Sequence, residues 1–269
     1  MKDSELKAYT LTGIVPLREK PADSSEMVSQ LLLGETMDVL HEQQDDWVKV
    51  KAHHDGYEGW VNGKEVELFE PDEFQEWEKN ERLQRSPYFT FRAAAGRDEQ
   101  VLVPAGALIA IHDDQICLPH NRYDLPGGLR TIKRSSIMDT AQNYVGTPYL
   151  WGGRTDVGID CSGFIQIVLA LHGYATPRDS GDQFSVLPTE ETNLNNAKPG
   201  DLVYFNPSGG KITHVGFYLG NGALIHASGQ VHISNIDEKD TFQNQYRLNK
   251  KLARSIYAIQ PLQEFCEAL

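Results

Sequence analysis

Cysteine is scarce in this sequence. The 269 residues contain only Cys117, Cys161 and Cys266, which are far apart and odd in number. This number and spacing predict neither a disulfide framework nor a CxxC metal site. The nine histidines are dispersed, and no HExxH pair occurs. A zinc mechanism therefore has little support, and we expect no metal or organic cofactor.

Basic charge is also in short supply. Lysine and arginine number 25 against 38 acidic residues, which gives a formal charge of −13. Nucleic acids and anionic membranes both require a basic face, so neither is expected as a partner. Long apolar runs are missing as well. The first ten residues, MKDSELKAYT, lack the apolar core of a signal peptide, and no segment suffices to span a bilayer. We therefore expect a soluble, cytoplasmic protein.

Three segments with different patterns divide the chain, whose length suits two or three compact units. Residues 1–70 carry short alternating apolar runs separated by turn formers, which predict a small all-β domain. Residues 71–135 begin with a charged linker and continue as a second, minimal β unit. Residues 136–269 place two helical patterns before several strand-like runs. Helices followed by an antiparallel sheet predict an α+β domain.

The stretch GIDCSGF places Cys161 after Asp160 and ahead of a strongly apolar run. Asp160 is a good N-cap residue, which predicts that Cys161 lies in the first turn of a helix. Unpaired amides and the helix dipole at that position favour a thiolate, the nucleophilic form of cysteine. The same amides could face an oxyanion. The alternative is that Cys161 is a small buried residue that only packs.

Two histidines on neighbouring predicted strands are the candidate bases. His214 lies in ITHVGFYLG and His226 in LIHASG. If the loop between the strands holds only residues 221–222, the imidazoles point to opposite faces of the sheet. If the loop is residues 220–222, His226 sits opposite Gly216, with His214 diagonal to it on the same face. Because Gly216 has no side chain, the two rings then have room to approach.

A relay of Cys161, His214 and His226 follows from the second arrangement. His214 would take the thiol proton, and His226 would orient His214. The alternative for each histidine is a satisfied, half-buried strand residue.

Five motifs that occur in order resemble the NlpC/P60 cysteine peptidases: TPYLWGG, GIDCSGF, KPGDLVYF, ITHVGFYLG and LIHAS. The resemblance covers residues 136–269. It implies a papain-like α+β fold and cleavage of amide bonds in bacterial cell-wall peptides. It also implies that Cys161 is the nucleophile, His214 the base and His226 the third polar residue. Tyr149 matches a tyrosine that stabilises the oxyanion, although it could equally be a core aromatic residue.

A narrower resemblance concerns PRDSGDQ, residues 177–183. It is similar to a motif of the γ-D-glutamyl-L-diamino acid endopeptidases, which carry N-terminal bacterial SH3 domains. The resemblance implies that Asp179 and Ser180 hold the free amine of an N-terminal L-alanine. A buried ammonium requires a carboxylate partner and further acceptors, because its desolvation is otherwise too costly. The alternative is that Asp179 or Ser180 caps the next helix.

The N-terminal segment resembles the same subgroup. SSEMVSQLLLGE and GYEGWV are similar to its first SH3-like domain, and residues 71–135 to a second, degenerate SH3-like unit. By this resemblance Glu26 and Tyr57 are the candidates for reaching the amino end of the substrate. Glu26 as a solvated strand residue and Tyr57 as part of the barrel packing are the alternatives.

The primary expectation is a cytoplasmic cysteine endopeptidase that cuts murein peptides between γ-D-Glu and the diamino acid, for cell-wall peptide recycling. Two alternatives stay open. One is an exported hydrolase that acts on intact peptidoglycan, and the other is a wall-binding SH3 module with an inactive catalytic domain. The choice between diaminopimelate and lysine is not determined by the sequence.

Overall fold

The structure is a computed structural model that describes residues 6–42, 46–70, 72–80, 83–96, 99–189, 191–207, 209–239 and 245–269. The chain forms two compact units, Met1–Ile132 and Lys133–Leu269. The second unit begins at Lys133, three residues before residue 136, at which the sequence pattern changes. In the described part of the chain, no helix is long and apolar enough to cross a bilayer.

The first unit begins with a seven-stranded antiparallel sheet in the order β3-β2-β6-β5-β4-β1-β7. Its strands are β1 (Lys7–Thr10), β2 (Ile14–Arg18), β3 (Met27–Leu32), β4 (Thr36–Glu42), β5 (Trp47–Ala52), β6 (Glu58–Asn62) and β7 (Val66–Leu68). Alternation decides which side chains are buried: in β2, Val15 and Leu17 point inward and their neighbours do not. Together with residues such as Leu31, Val50 and Val61, they form one apolar core.

The same unit continues with helix α1 (Glu73–Asn80) and a six-stranded antiparallel sheet in the order β10-β9-β13-β12-β11-β8. Its strands are β8 (Gln84–Arg85), β9 (Phe91–Ala95), β10 (Glu99–Val103), β11 (Leu108–His112), β12 (Gln115–Cys117) and β13 (Arg122–Asp124). Helix α1 lies in the segment whose sequence predicts mostly a charged linker, with a short helix carrying Phe74, Trp77 and Leu83 as the alternative. Trp77 of α1 is only 6% exposed, so the helix packs an aromatic anchor onto the sheet.

One apolar cluster joins the two sheets of this unit, and we name it the shared core. Tyr9, Leu33 and Phe69 enter it from the first sheet side, and residues such as Val101 and Ile109 enter it from the second. Backbone contacts reinforce it. The Leu108 amide donates to the Leu33 carbonyl at 2.9 Å, and a Cβ at Gly34 would lie 2.0 Å from the Leu108 carbonyl oxygen. The two sheets therefore share one interior.

The second unit mixes helices with a five-stranded antiparallel sheet in the order β19-β18-β17-β16-β20. The elements are α2 (Ile137–Gln142), β14 (Arg154–Thr155), β15 (Gly158–Ile159), α3 (Cys161–Ala170), α4 (Ser180–Val186), β16 (Leu202–Phe205), β17 (His214–Gly220), β18 (Ala223–Ser228), β19 (Gln230–Asn235), α5 (Lys250–Ala253), β20 (Ile256–Gln260) and α6 (Leu262–Ala268). Helices α2 and α3 precede the main sheet, which confirms the predicted α+β class.

Helix α3 is the buried centre of this unit. All of its residues from Cys161 to Leu169 are buried, as expected for a helix that is apolar all round. The centroid of its Phe164 ring lies 5.7 Å from that of Phe217 in β17, and the two ring planes stand edge-on at 81°. This aromatic contact holds the first residue of α3 against the strand that begins with His214.

A buried ion pair in the first unit offers a test of the shared core. Arg85 of β8 donates to the carboxylate of Glu35, which is 1% exposed, and to the Gly106 carbonyl at 2.9 Å. We expect Arg85→Met to lower the free energy of unfolding by about 3 kcal/mol, because it leaves a buried carboxylate without its guanidinium. Urea denaturation measures the loss.

Lys64→Met is the matched control, since Lys64 pairs with Asp46 in an exposed ion pair. It should leave the urea midpoint unchanged. Equal midpoints for the two variants would contradict the assigned importance of the Arg85–Glu35 pair.

Candidate active site

Helix α3 begins at Cys161 because Asp160 caps it. The Asp160 backbone is extended (φ −97°, ψ −179°), and its Oδ1 accepts a hydrogen bond from the Gly163 amide at 2.7 Å. This confirms the predicted N-cap. Cys161 thereby occupies the first helical position with only 7% of its surface exposed. The start of a helix is a position at which reactive cysteines are found.

The Asp160 carboxylate also holds a buried arginine. Arg178 donates through Nη1 to Oδ1 at 3.1 Å and through Nη2 to Oδ2 at 2.5 Å, and its Nη1 also donates to Ser162 Oγ at 2.9 Å. The Gly152 amide donates to Oδ2 at 2.8 Å. Arg178 is 2% exposed. Charge-assisted bidentate pairs of this kind are the strong ones in proteins.

Sequence reasoning missed Arg178. It stands inside the PRDSGDQ motif, directly before the pair that was singled out. A signal was available, because Arg178 is the one cation of the motif and directly precedes Asp179, a candidate helix-capping carboxylate. The partner could not be named from the sequence, since 18 residues separate Arg178 from Asp160.

Two glycines let the helix start approach the TPYLWGG loop. A Cβ at Gly163 would lie 2.2 Å from the Gly153 carbonyl oxygen, and a Cβ at Gly153 would lie 2.5 Å from the Gly158 carbonyl oxygen. Neither position has room for a side chain. The glycines of CSGF and WGG are therefore required by close backbone approach around the cysteine.

The thiol of Cys161 is held in its neutral form in the resting site. Burial raises its pKa to about 12, with a further increase from the Asp160 carboxylate. The Arg178 guanidinium and the amides of Val215 and Ser162 oppose this increase. The amide at the helix start favours the thiolate as expected, but the effect of burial on the pKa is larger.

The two histidines are brought together as predicted. His214 Nε2 and His226 Nδ1 are 2.8 Å apart, and the ring planes stand at 86°. Strands β17 and β18 pair Phe217 with Ile225, and one further step of this register sets His226 beside Gly216. A Cβ at Gly216 would lie 2.9 Å from the His226 Cβ. The absence of that side chain gives the rings their room.

The turn that creates this register differs from the prediction. Strand β17 runs to Gly220 and β18 starts at Ala223, so the loop is the two residues 221–222, both with positive φ (49° and 73°). A two-residue loop was expected to separate the imidazoles. A register shift between Tyr218 and Gly220 prevents this, because it inserts Leu219 as an extra residue in β17. A β-bulge thus supplies the residue that the longer loop was invoked to provide.

Both imidazoles are neutral at physiological pH. Burial, with a smaller contribution from His232, lowers the pKa of His214 to about 4. Burial and the neighbouring His214 and His232 lower the pKa of His226 to about 2. A neutral imidazole can accept a proton, so His214 is suited to act as a base. The Val215 amide, next to His214, faces the Cys161 thiol and places this end of β17 beside the sulfur.

Tyr149 lies beside the thiol on a segment that pairs with the edge of the sheet. Its amide donates to the Gly229 carbonyl at 2.9 Å, and the Gly146 amide donates to the Val231 carbonyl at 2.8 Å. Burial raises the Tyr149 pKa to about 12, with a further increase from Cys161. The hydroxyl therefore keeps its proton and remains a donor. Its role toward an oxyanion stays a prediction.

Asp179 and Ser180 lie where helix α4 begins. Asp179 is the N-cap residue by position, but its carboxylate makes no capping hydrogen bond. Its side chain is exposed, whereas Ser180 is half-buried. The helix is tied to the catalytic region by Gln183, whose Nε2 donates to the Ser162 carbonyl at 3.0 Å. Asp179 and Ser180 directly follow the buried Arg178 in the sequence. Their role in binding stays a prediction.

Glu26 and Tyr57 belong to the first unit. Glu26 is exposed immediately before β3, and its carbonyl accepts from the Glu19 amide at 3.0 Å. Tyr57 precedes β6, is half-buried and packs against the core of the seven-stranded sheet. Their proposed contact with a substrate stays a prediction.

Substitution of Gly163 tests the close approach at the helix start. We expect Gly163→Ala to lower the free energy of unfolding by about 1–3 kcal/mol, the range for forced overpacking, because the new methyl collides with the Gly153 carbonyl. Thermal denaturation of the full chain measures this loss of stability through the melting temperature. Gly181→Ala in α4 is the control, since a Cβ there meets nothing within 4 Å. Equal melting temperatures for the two variants would contradict the assigned contact.

Alkylation of Cys161 tests the neutral resting thiol. Because only the thiolate reacts and the pKa is near 12, the rate of carbamidomethylation should still rise with pH above about pH 9. Arg178→Met should slow the reaction, since it removes the cation that favours the thiolate. Site-resolved mass spectrometry separates Cys161 from Cys117 and Cys266. A rate that levels off below about pH 7 would instead indicate a preformed thiolate–imidazolium pair.

Comparison with known families agrees with this geometry. The model of the NlpC/P60 family matches residues 146–250, and that of the bacterial dipeptidyl-peptidase SH3 domain matches residues 17–66. A γ-D-glutamyl-L-lysine dipeptidyl-peptidase of Bacillus cereus is 28% identical over 238 residues, covering 76% of this chain and 68% of the relative. Dipeptidyl-peptidase 6 of Lysinibacillus sphaericus is 25% identical over 286 residues, covering 94% of this chain and 98% of the relative.

The fold is matched by a solved structure. The crystal structure of an NlpC/P60 family protein from Bacillus cereus superimposes with a TM-score of 0.76 at 21% identity, covering 95% of this chain and 99% of the other. At this identity the likeness shows the fold alone. The thiol at the start of α3 and the paired imidazoles all lie within residues 146–250, so the chain carries an NlpC/P60 cysteine peptidase domain there and a bacterial SH3 domain at residues 17–66.

Proposed function

We propose that this peptidase hydrolyses the amide bond between γ-D-glutamate and the following diamino acid in murein peptides that begin with a free L-alanine. The observation that carries the proposal is the hydrogen-bonded pair of His214 and His226 on the strand end beside Cys161. The name of the Bacillus cereus relative, a γ-D-glutamyl-L-lysine dipeptidyl-peptidase, supports the choice of bond. The name of the Bacillus cereus relative supports L-lysine as one accepted diamino acid.

The first half of the reaction forms an acyl-enzyme. Cys161 Sγ attacks the carbonyl carbon of the γ-glutamyl amide while the neutral imidazole of His214 takes the thiol proton. His226, hydrogen-bonded to His214, keeps that ring in place. The Tyr149 hydroxyl, which retains its proton, donates to the oxygen on which negative charge develops. His214 then passes its proton to the departing amine as the C–N bond breaks.

The second half regenerates the thiol. Water attacks the thioester carbonyl, and His214 takes one of its protons. The tetrahedral intermediate collapses, the C–S bond breaks, and the proton returns to sulfur. The products are L-Ala-γ-D-Glu and a peptide that begins with the diamino acid. The high thiol pKa makes this sequence a general-base reaction, in which the proton leaves sulfur as the C–S bond forms.

Recognition of the free amine is assigned to the start of α4. An ammonium group that leaves water requires a carboxylate partner, and Asp179 offers one at an exposed position, with Ser180 as a further acceptor. Glu26 and Tyr57 of the first unit are proposed as further substrate-binding residues. A peptide without a free amine would not bring Asp179 a cationic partner, so intact wall is a poor substrate. Recycling of turnover peptides in the cytoplasm fits this selectivity.

Product analysis tests the bond and the terminus together. Purified enzyme is incubated with L-Ala-γ-D-Glu-L-Lys and L-Ala-γ-D-Glu-meso-diaminopimelate, each free and N-acetylated, and the products are identified by mass spectrometry. We expect L-Ala-γ-D-Glu from the free peptides only. Equal cleavage of acetylated and free peptides would favour the exported hydrolase of intact peptidoglycan. Undiminished hydrolysis by Cys161→Ala would contradict the nucleophile, and absence of hydrolysis by the wild type would favour the wall-binding module.

Substitution of Asp179 tests the amine site separately. We expect Asp179→Asn to lower kcat/KM for the free peptides about ten-fold or more, because a charged hydrogen bond contributes about 1.5–3 kcal/mol. Asp182→Asn is the matched control, since Asp182 is exposed in the first turn of the same helix. Similar kcat/KM values for the two variants would exclude Asp179 from amine recognition.

A further inference from the structure

The hydrogen bonds around the catalytic histidines extend beyond the relay. His226 Nε2 lies 3.0 Å from Ser234 Oγ, and Ser234 Oγ lies 3.2 Å from His232 Nε2. His232 Nδ1 in turn lies 2.9 Å from the Gln230 carbonyl oxygen. Ser234 and His232 both belong to β19, where they pair across from Leu224 and His226 of β18. A chain of four side chains therefore runs from His214 to one backbone carbonyl.

The direction of every bond in this chain follows from its last member. A carbonyl oxygen can only accept, so His232 Nδ1 must carry a hydrogen. In neutral His232 the Nε2 is then an acceptor, and Ser234 donates its hydroxyl hydrogen to it. The lone pairs of Ser234 Oγ accept from His226 Nε2, so His226 carries its hydrogen there and leaves Nδ1 as an acceptor.

The same reasoning reaches the base. Because His226 Nδ1 is an acceptor, His214 must donate to it from Nε2. A neutral imidazole carries one hydrogen, so His214 Nδ1 is left with a free lone pair. That nitrogen is the one that does not face His226. The chain thus prepares His214 to accept a proton, whereas the opposite set of tautomers would place a hydrogen on the atom that must receive it.

We infer that Ser234 and His232 are positioning residues that fix the tautomer of the catalytic base through His226. The inference about rate rests on the proposed roles of Cys161 and His214, but the tautomers themselves do not. Ser234 is buried and His232 half-buried, so the inner link is shielded from water while the outer link can be altered with little effect on the core. This role predicts that a side chain that can only donate at position 232 reverses the direction of every hydrogen bond in the chain. A side chain that can accept at position 232 keeps those directions.

The two variants His232→Arg and His232→Gln test this in the full chain. The guanidinium can only donate, so the Ser234 hydroxyl loses its acceptor at position 232 and has only His226 Nε2 left as an acceptor in this chain. When Ser234 donates to that nitrogen, His226 and His214 both carry their hydrogens on Nδ1. In His232→Gln, the amide oxygen of the new side chain can accept from Ser234 and leaves the chain as it is. Nitrogen-15 NMR of histidine-labelled protein distinguishes a protonated from an unprotonated ring nitrogen, and it reports the tautomers without reference to activity.

We expect His214 and His226 to carry hydrogen on Nε2 in the wild type and in His232→Gln, and on Nδ1 in His232→Arg. With the free murein tripeptide, kcat of His232→Arg should fall by about 10²–10⁴-fold, the range for a lost general base, with KM unchanged. Ser228→Arg is the charge control, because it adds the same cation at the exposed end of β18 through a side chain outside the hydrogen-bond chain. It should keep the wild-type tautomers and kcat.

Wild-type tautomers in His232→Arg would overturn the inference, whatever the activity. If that variant does not fold, Ser234→Ala and Ser234→Thr replace it. Removal of the hydroxyl should give mixed tautomers at His226 and a lower kcat, and threonine should restore both. Unmixed wild-type tautomers in Ser234→Ala would likewise overturn it. Failure of the proposed function has a different signature, since the tautomers would then follow the prediction while hydrolysis persists in Cys161→Ala.

Discussion

The carboxylate of Asp160 is the interaction on which the catalytic unit depends. One side chain caps α3 through the Gly163 amide, binds the Gly152 amide of the TPYLWGG loop and pairs with the buried Arg178. The start of α3, the TPYLWGG loop and the segment around Arg178 therefore meet at one pair of oxygens. The nucleophile, the loop that carries Tyr149 and the segment that carries Asp179 take their places from it. A buried charge is tolerable here only because every one of these donors compensates its desolvation.

That arrangement also sets the electrostatic character of the site. The Asp160 carboxylate disfavours a thiolate at the next residue, and Arg178 opposes it from the same cluster. The balance leaves sulfur protonated and the histidines neutral, so no thiolate–imidazolium charge pair has to be stabilised among these buried groups. Catalysis then depends on an acceptor nitrogen being correctly aimed before the substrate arrives. The chain through β19 meets this requirement with a backbone carbonyl, a group whose hydrogen-bonding role cannot change.

Local patterns in the sequence predicted much of this site. The capping of α3 by Asp160 and the partnership of the histidines follow from residue types and strand period. Arg178 could not be assigned, because its partner lies across the fold. The bulge at Leu219 was invisible, since an extra strand residue has no signature in apolar alternation. Ser234 and His232 were missed because strand β19 itself was not predicted, and hydrogen-bond direction requires the neighbours on both sides. The sequence pattern separated the two β units, but it did not predict that they share one core.

The shared core of the first unit has a consequence for how such chains can be recombined. The SH3 family match covers residues 17–66, yet Leu33 within it packs among side chains that come from beyond residue 76. A genetic exchange limited to the matched segment would have to reproduce, in a foreign sequence, the backbone approach of Gly34 to Leu108. An exchange that keeps the shared core intact would consequently take the whole of Met1–Ile132 and make its junction at the carboxyl end of that unit.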